Sequence, residues 1–389
     1  MSDVLIVGSG PTGLTLACDL ARRGIPVRVL DQRPGPHRES RGKSLNRDGL
    51  DAMADLGVLG RISEVGRELV LRKYFDGTHV NDTRPADLLF MGQWQIEEVL
   101  REHLASLGVR VEHGARVTGI EQDPEGVTAR LADGGAVRAG YLAGCDGGRS
   151  TTRGLLGIAF EGTTEETETM VLGDVTAPAL SRDVWHQWFT SDGGAMMLCP
   201  IPGTPVFQLQ ASPERDAGGD PVPPSPEGFQ RLFDRHARME GIRLTGADWL
   251  STWRVNVRMA ARMREGRAFL AGDAAHVHSV AGGLGMNTGI QDAMALGRTL
   301  GAALTGEAGA QVLDVYEAER LPAAARVLAD TTERHRRVLA AVREPGRGTE
   351  AGLGLTPPGP GPGRGPAQGV GTASERERAW IRSGAPGRA

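Results

Sequence analysis

Close to its start, the chain has a glycine-rich turn between an apolar strand and a helix, a combination that few folds accommodate. Residues 4–7 form a continuous apolar run, as expected of a parallel strand that is covered on both faces. The turn GSGPTG occupies residues 8–13, and residues 14–21 then carry apolar side chains at helical spacing. A second apolar strand is predicted at 26–30. Because a helix that joins two parallel strands requires a parallel sheet, the pattern predicts an α/β fold.

The three glycines of this turn have separate predicted roles. Gly8 permits the tight turn, Gly10 lets the backbone approach a pyrophosphate, and Gly13 lets the helix pack close to the sheet. The helix start then offers free amide groups and the positive end of the helix dipole to the phosphates. Asp31 ends the second strand, where a carboxylate binds a ribose hydroxyl and favours an unphosphorylated ribose, as in FAD or NAD. A glycine turn that holds no ligand is the alternative interpretation.

Two further motifs lie much later in the chain. Residues 144–150 (GCDGGRS) contain the pair Asp146-Gly147, which by itself is an ordinary Asp-Gly turn. A strand predicted at 268–271 delivers Asp273 to a strand end, where parallel sheets bind their ligands. A second glycine loop at 282–287 leads into a helix predicted at 288–304. Such a helix start suits a ring system with a partial negative charge, and glycine for loop geometry alone is the alternative.

The rest of the chain alternates between helical and strand patterns. Helices are predicted at 45–60 and 96–107, and short strands at 109–112, 115–122, 126–131 and 136–143. An antiparallel sheet is predicted over about 160–258 from apolar runs at 184–189, 195–201 and 206–211, with a helix at 225–240. Helix then dominates from 288 to about 342. The Pro/Gly stretch that follows cannot bury a core, which predicts a disordered tail.

Charge and cysteine content exclude several classes of function. The formal net charge of −4 gives no basic surface for nucleic acid. The three cysteines are far apart and form no CxxC pair, which suits a reducing compartment. No apolar run approaches the ~20 residues of a membrane span, and no basic leader precedes the first strand. We therefore expect a cytoplasmic protein that binds neither nucleic acid nor a membrane.

The order of the three motifs resembles that of the class A, single-component FAD-dependent aromatic hydroxylases, such as the para-hydroxybenzoate, phenol and polyketide hydroxylases. The resemblance runs from about residue 2 to 335 and is most specific over 266–300, with NTGIQDA at 287–293; YEAERLP at 316–322 also fits. Polyketide-tailoring members are the most similar, although this chain leaves no room for their C-terminal thioredoxin-like domain. Without that domain we expect a monomer or a weak dimer.

The resemblance implies a Rossmann-like FAD-binding domain of the GR2 type, an inserted and mostly antiparallel substrate-binding sheet, and a long C-terminal helical region. The FAD-binding domain is expected in three parts, with the sheet inserted between them. The expected boundaries are 1–75 for the first FAD-binding part, 76–92 for a segment of the substrate domain, 93–160 for the second FAD-binding part, 161–258 for the substrate sheet, 259–342 for the third FAD-binding part with the C-terminal helices, and 343–389 for the tail.

The resemblance also assigns cofactor contacts to all three motifs. It places Arg41 at the FAD phosphates, Asp273 at the ribityl chain and Asp146-Gly147 at FAD and NAD(P)H handling. A solvated charge is the alternative for Arg41, and a helix cap is the alternative for Gln93, which precedes a helix. The full set of expected FAD contacts is Gly8, Gly10, Pro11, Thr12, Gly13, Asp31, Gln32, Arg33, Arg41, Gln93, Val117, Asp146, Gly147, Gly272, Asp273, Gly283, Leu284, Gly285, Met286 and Asn287.

The chemistry implied by the resemblance is hydroxylation of an aromatic substrate by a flavin C4a-hydroperoxide. NADPH or NADH reduces the FAD, dioxygen is the second co-substrate, and a phenol or a polycyclic polyketide is the expected substrate. No catalytic acid–base pair is assigned, because the cofactor carries the reaction. No metal is expected, since His276 and His278 lack a third ligand nearby. The candidates for lining the substrate pocket are His186, Trp188, Met197, Phe207 and Val280, with packing inside the sheet core as the alternative.

The chain departs from the family pattern beside the second glycine loop. Ser279 and Val280 stand where the family usually has two prolines, and Leu284 stands where glutamine is frequent. Loss of a proline frees the loop and adds a backbone donor at residue 280, which can alter the oxygen chemistry. The alternative function is therefore another flavin-dependent oxidation or rearrangement on the same scaffold. A third hypothesis is a nucleotide-binding module without turnover.

Overall fold

A computed structural model of the chain describes residues 2–39, 41–85, 87–278 and 284–343, apart from the side chains of 164–168, 248, 255 and 334–343. Within these residues the chain forms two large sheets, a small two-stranded sheet and a set of helices. The strands are β1 (Ser2–Val7), β2 (Val27–Asp31), β3 (Ser44–Leu45), β4 (Val70–Phe75), β5 (Thr78–Thr83), β6 (Leu89–Phe90), β7 (Val111–His113), β8 (Val117–Asp123), β9 (Gly126–Leu131), β10 (Ala136–Gly144), β11 (Phe160–Thr176), β12 (Val184–Phe189), β13 (Ala195–Pro200), β14 (Val206–Ala211), β15 (Thr245–Ala260), β16 (Arg264–Glu265), β17 (Ala268–Leu270) and β18 (His276–Val277).

The helices lie mainly against the first sheet, and one of them covers the second. They are α1 (Pro11–Arg22), α2 (Arg47–Asp55), α3 (Leu59–Val65), α4 (Gln93–Ser106), α5 (Thr151–Leu155), α6 (Pro226–Ala237), α7 (Gly285–Leu304) and α8 (Leu313–Arg343). Two short 3-10 turns lie at Gly272–Ala274 and Ala310–Val312. None of the helices in the described residues is long and apolar enough to cross a membrane.

The first sheet has the strand order β16-β17-β10-β1-β2-β7, with the hairpin of β8 and β9 attached to β10. Strands β17, β10, β1, β2 and β7 run parallel to one another, whereas β16 and β9 pair antiparallel with β17 and β10. The register places Val7 beside both Leu30 and Gly144, and Gly144 beside Leu270. The carboxyl ends of four neighbouring strands therefore lie level, and the predicted α/β fold with a parallel sheet is confirmed.

The second sheet has the order β18-β15-β11-β14-β13-β12-β4-β5 and is antiparallel except where β12 pairs with β4. Helix α6 covers one of its faces, where Phe229 and Phe233 are fully buried with Trp188 and Phe207. The predicted antiparallel layer therefore exists. It also includes Val70–Phe75, so the sheet begins earlier in the chain than the expected segment at 76–92, because β4 pairs along the edge of β12.

Some element predictions were wrong in detail. The single helix expected at 45–60 is two helices, since Gly57 has a φ of +76° after the last turn of α2. The long strands β11 and β15 pair with each other along most of their length, yet neither was predicted. Both are rich in threonine, charged residues and glycine, so they lack the apolar runs that revealed β12 to β14.

Helices α1 and α7 pack unusually closely because α7 presents glycines to its neighbour. A Cβ atom on Gly289 would lie 2.4 Å from the Thr12 Oγ1, and one on Gly297 would lie 2.1 Å from the Asp19 Oδ2. Gly301 contacts Arg23 in the same way. These residues are spaced eight and four apart, so they fall on one helix face. Their contacts bring the starts of α1 and α7 to the same end of the first sheet.

Candidate functional site

The candidate site lies at the carboxyl ends of four adjacent parallel strands. The loop after β1 begins at Gly8, β2 ends at Asp31, β10 leads to Asp146, and β17 leads to Asp273. Backbone hydrogen bonds from Gly8 N to Leu30 O (2.7 Å) and from Cys145 N to Val7 O (2.8 Å) hold neighbouring strand ends together. The expected convergence of residues from distant parts of the sequence is therefore a direct result of the strand order.

The glycines of the first turn show the geometry of a phosphate-binding turn. Gly8 has a φ of +104°, and a Cβ atom there would lie 2.4 Å from the Cys145 carbonyl oxygen. A Cβ atom on Gly13 would lie 2.0 Å from the Gly8 carbonyl oxygen, so only glycine lets the helix approach the strand. A Cβ atom on Gly10, in contrast, would meet nothing within 4 Å. Gly10 is the N-cap of α1 and has no side chain to bind the first amide groups of the helix, which are therefore available to a ligand in this open space.

Asp31 is buried at the end of β2 and binds the glycine turn directly. Its Oδ2 accepts hydrogen bonds from the Ser9 backbone nitrogen (2.9 Å) and the Ser9 hydroxyl (2.6 Å), and its Oδ1 accepts one from the Arg33 backbone nitrogen (2.9 Å). Burial alone would raise the pKa of Asp31, but these hydrogen bonds outweigh it and lower the pKa. The carboxylate therefore stays ionised and holds the turn in shape. Gln32 beside it is exposed.

The third motif meets the first at Thr12. A Cβ atom on Gly272, whose φ is +62°, would lie 2.5 Å from the Thr12 Oγ1, the same atom that Gly289 approaches. Asp273 follows Gly272, and its side chain is exposed. Although this carboxylate is accessible, the protein on either side of it reduces its hydration and so raises the pKa of Asp273, against the opposing effect of positive charge on His276, His278 and Arg41. The first turn, the Gly-Asp motif and the start of α7 thus lie side by side, and the open space in front of Gly10 at the carboxyl ends of the strands is called the cleft below.

A buried ionic network that sequence reasoning missed fixes the Gly-Asp motif. Asp292 on α7 is completely buried and accepts hydrogen bonds from the Gly272 backbone nitrogen (3.0 Å), the His276 Nε2 (2.6 Å) and the Arg320 Nε (2.7 Å). Burial would raise the pKa of Asp292, but the two positive partners lower it; the same pairing raises the pKa of His276 against the effect of burial. Asp292 lies in the motif at 287–293 and Arg320 in the motif at 316–322. These two motifs were the signal in the sequence that could have revealed the network.

The Asp-Gly motif after β10 supports the turn from the other side. Asp146 accepts hydrogen bonds from the Ser150 hydroxyl (2.5 Å) and from the Thr152 backbone nitrogen (2.9 Å), which begin α5. Arg153 on that helix donates to the carbonyls of Gly148 (3.0 Å) and Ala274 (2.9 Å). The second and third motifs are therefore linked by a side chain, and Gly147 has the positive φ (+81°) that its position requires.

The segment after β2 reaches the start of α7. A Cβ atom on Gly42 would lie 3.1 Å from the Met286 Sδ and 3.2 Å from the Gln93 Oε1. Gln93 is the first residue of α4, and its side chain accepts a hydrogen bond from the Gly42 backbone nitrogen (3.1 Å). Arg41 is largely exposed and pairs with Glu39 (2.6 Å). Gly42, Gln93 and Met286 thus meet in one place, although they are distant in the sequence.

The other expected contact residues have varied surroundings. Val117 is buried in the core beneath β1 and β2. Asn287 is buried too, and its side chain accepts a hydrogen bond from the Asn46 backbone nitrogen (3.0 Å) and donates one to the Ser44 carbonyl (3.2 Å). Pro11, Leu284 and Gly285 lie at the two helix starts. Gly283 and Val280, with the departure at Ser279, lie outside the described residues.

The second sheet presents a different set of side chains to the cleft than expected. His186, Trp188 and Phe207 point to the face covered by α6, where Trp188 stacks on His186 at 5.4 Å and meets Phe233 at 5.8 Å. They therefore pack as sheet core, and burial lowers the pKa of His186 to about 4. Since strand side chains alternate, their neighbours face the other way. Of the predicted lining residues on the sheet, Met197 lies on the face away from α6, together with Trp185, Gln208 and Gln210.

The arrangement fits a dinucleotide with a ring system. An uncapped helix start and open space at Gly10 suit a pyrophosphate, and Asp273 is an accessible acceptor for a polyol chain. Among the described residues, no group of three His, Cys, Asp or Glu side chains could hold a metal ion.

Comparison with known proteins gives a consistent result. A family model described as an FAD binding domain matches residues 1–331. A rifampicin monooxygenase of Streptomyces venezuelae is 39% identical over 345 residues, covering 85% of this chain and 70% of that protein. A dialkyldecalin synthase of Streptomyces rugosporus is 36% identical, covering 85% of this chain and 72% of that protein. The crystal structure of aklavinone-11 hydroxylase with FAD and aklavinone superposes with a TM-score of 0.76 at 28% identity, covering 90% of this chain and 70% of that one.

Proposed function

Because this chain belongs to the FAD-binding family of class A flavin-dependent aromatic hydroxylases, and is thus an FAD-dependent monooxygenase, we propose that it hydroxylates a phenolic or polycyclic aromatic natural product. The observation that carries the proposal is the meeting of two glycine-lined helix starts at Thr12, where Gly272 and Gly289 approach the same oxygen. A site with two such helix starts suits a cofactor with a pyrophosphate at one end and an electron-accepting ring at the other.

The residues that would hold FAD follow from the geometry. The start of α1 at Gly10 would receive the pyrophosphate, Asp31 would face the adenosine ribose, and Asp273 would face the ribityl chain. The start of α7 at Gly285 and Met286 would lie against the ring. When bound, FAD supplies the chemistry that takes two electrons from NADPH or NADH, places one atom of dioxygen in the substrate and releases the other as water.

The protein's own contribution is to position the substrate and keep water away from the reaction. The face of the second sheet that carries Trp185, Met197 and Gln210 lies opposite the segment at Gly42, which contacts Met286. Burying an aromatic ring between these two surfaces would orient it against the flavin edge and exclude solvent. One solved relative is a hydroxylase in complex with FAD and aklavinone, which supports a substrate bound beside the cofactor.

A second candidate function is a flavin-dependent rearrangement without net oxygenation. Ser279 and Val280 replace the prolines that the family usually places beside the reactive part of the ring. A relative at 36% identity is named dialkyldecalin synthase, which is not the name of an oxygenase. These two observations favour retaining this alternative beside hydroxylation.

The test is product analysis with labelled oxygen. Protein purified with FAD would be supplied with NADPH or NADH and a panel of phenols and hydroxylated anthraquinones under ¹⁸O₂. We expect substrate-stimulated oxidation of the nicotinamide and a product that carries one labelled oxygen atom. A colourless protein that does not bind added FAD would contradict both proposed functions. A rearranged product with the same elemental composition as the substrate would favour the rearrangement.

The reaction also suggests a compartment. Cys18, Cys145 and Cys199 are buried and form no disulfide. Free thiols and a need for NADPH or NADH both favour the reducing cytoplasm as the place of action.

A further inference from the structure

One of the chain's rare lysines contacts the cleft-facing side of the second sheet from the segment after Gly42. Of the 44 lysine and arginine residues, only Lys43 and Lys73 are lysines. The Lys43 ammonium donates a hydrogen bond to the Gln210 Oε1 (2.7 Å) and lies 4.5 Å from the centre of the Trp185 ring. Its side chain is partly accessible. Lys43 therefore spans the gap between the segment at Gly42 and the sheet.

The partners of Lys43 are neutral. Among the described residues, no carboxylate pairs with its ammonium, in contrast to the many arginine–carboxylate pairs elsewhere in the chain. A lysine ammonium has three hydrogen-bond donors, of which Gln210 takes one and the Trp185 face attracts the group without accepting a full hydrogen bond. Burial lowers the pKa of Lys43 to about 8. The group is a cation that lacks a counter-ion.

The surrounding amides are held so that they support this cation. Gln210 turns its oxygen to Lys43 because its Nε2 donates to the Gln208 Oε1 (3.1 Å), and the Gln208 Nε2 donates to the Arg41 carbonyl (3.1 Å). Trp185 is fixed by an edge contact with Phe90 at 5.6 Å. The position of the ammonium is therefore preset before any ligand arrives.

The same face contains a buried amide without a partner. Gln187 is completely buried, and neither its Oε1 nor its Nε2 has a hydrogen-bond partner in the described part of the chain. It lies opposite Met197 on β13, and Met197 lies opposite Gln210 on β14, so all three side chains share the face. A buried amide that forms no hydrogen bond costs free energy, unless a ligand supplies the missing partner.

We propose that Lys43 is the substrate-binding residue that supplies the counter-ion to an anionic oxygen of the aromatic substrate, either a phenolate or a ring carboxylate. This rests on the proposed function, since it names the substrate class for the same cleft. Gly42 lies against Met286, where the ring of the cofactor is expected, and the next residue, Lys43, places its ammonium over Trp185 of the second sheet. Gln187 completes the site as a neutral hydrogen-bonding partner for a further oxygen atom of the ligand.

The first test measures binding without turnover. FAD-loaded protein, with no NAD(P)H, would be titrated by equilibrium dialysis with alizarin and its dimethyl ether, and with anthraquinone-2-carboxylate and its methyl ester. We expect each anion to bind about tenfold or more tightly than its neutral match, as for a charge-assisted hydrogen bond. K43M should remove that preference by weakening only the anions, and K43R should retain part of it. If K43M loses more affinity for alizarin, the anionic oxygen is a phenolate; if it loses more for anthraquinone-2-carboxylate, the anionic oxygen is a carboxylate.

K73M is the matched control. Lys73 stands beside Gln187 in the register of β4 and β12, so it shares the sheet face but not the contacts of Lys43. Its removal should leave the preference for anions within about twofold, because the contacts to Gln210 and to the Trp185 ring belong to Lys43. Equal binding of anion and neutral ligand by the wild type, an unchanged preference in K43M, or no binding of any of the four compounds would each overturn the proposal.

A second readout does not depend on affinity. Protein labelled with ¹³C at lysine Cε has signals from only two lysines, and K73M assigns them. The Lys43 signal should titrate near pH 8 without ligand and at a higher pH with the bound anion. Cys199 faces Lys43, but burial raises its thiol pKa to about 12, so it does not titrate in this range. A Lys43 titration that ignores the anion would contradict the proposal even if the enzyme oxygenates its substrate; absence of FAD binding or of oxygenation would instead contradict the proposed function.

Discussion

Gly10 and Gly13 show how two residues of one motif act through different physical causes. We expect G10A to fold normally but to bind FAD at least about tenfold more weakly, because its methyl group would occupy the open space where the pyrophosphate is expected. Thermal unfolding of the apoprotein and fluorescence titration with FAD would measure the two effects. A G10A protein with unchanged FAD affinity would show that the phosphates do not approach this residue.

Two further glycines serve as controls for that experiment. G60A should leave FAD affinity unchanged and stabilise the apoprotein slightly, by roughly 0.5–1 kcal/mol, because Gly60 is exposed on helix α3 and its Cβ would be free. G13A should destabilise the apoprotein by about 1–3 kcal/mol, since its Cβ would lie 2.0 Å from the Gly8 oxygen.

At the residue scale, the sequence predicted the positions of side chains that follow a local spacing rule. It could not predict positions that depend on which face of a strand lies against the cleft. The turn glycines and Asp31 have fixed positions relative to the strands around them, so spacing was sufficient. His186 and Met197 both lie on apolar strands, and alternation alone does not say which face meets the cleft. The sequence did not single out Lys43 except by the rarity of lysine, because the residues that contact it, Gln210 and Trp185, lie on the second sheet.

Helices α7 and α8 are joined by one buried ionic network and one exposed pair, which allows a controlled comparison. D292N should destabilise the apoprotein by about 3–5 kcal/mol, because it leaves the buried cations of Arg320 and His276 without an anion. E319Q breaks the exposed pair with Arg298 between the same two helices and should cost less than about 1 kcal/mol. Urea denaturation of both variants measures the difference, and similar losses would contradict the network's importance.

The same network predicts how stability depends on pH. The pKa of His276 is raised above its ordinary value of 6.5 by Asp292, so its contribution is fully present below pH 6.5 and is lost as pH rises through the raised pKa. The free energy of unfolding of the wild-type apoprotein should therefore fall relative to that of H276Q as pH increases from 6.5 to 8. Parallel curves for the two proteins over this range would show that His276 is not protonated in the folded state.

At the element scale, the predicted βαβ start and the strands β12, β13 and β14 were clear because their apolar runs are bounded by turn residues. The close packing of α1 on α7 could not be predicted. It depends on glycines at 289, 297 and 301, which lower helix propensity locally and have meaning only once the partner helix is known. The long polar strands β11 and β15 are stable because they pair with each other, while β11 also pairs with β14 and β15 with β18. No local sequence pattern reveals these contacts.

Over the whole molecule, the cofactor site depends on segments far apart in the chain, from the turn at 8–13 to Arg320 on α8. Helix α8 anchors the fold through Tyr316, whose hydroxyl donates to the Leu270 carbonyl (2.7 Å), and through Glu317, which accepts from the Met263 backbone nitrogen (2.6 Å). The order of the motifs could be predicted from the sequence. The role of α8 in holding β17 in place could not, since Leu270 and Met263 become neighbours of this helix only after the sheet has formed.

We expect the cofactor site to require helix α8 but not residues 344–389. Deletion of residues 344–389 should leave FAD affinity and the unfolding temperature unchanged, because the family match ends at residue 331 and the contacts that fix the site end at Arg320. Deletion of 313–389 should abolish FAD binding, since it removes Tyr316, Glu317 and Arg320 together and leaves Asp292 buried with His276 alone. FAD titration and thermal unfolding of both truncated proteins measure this. Weaker FAD binding after the shorter deletion would mean that the tail takes part in the cofactor site.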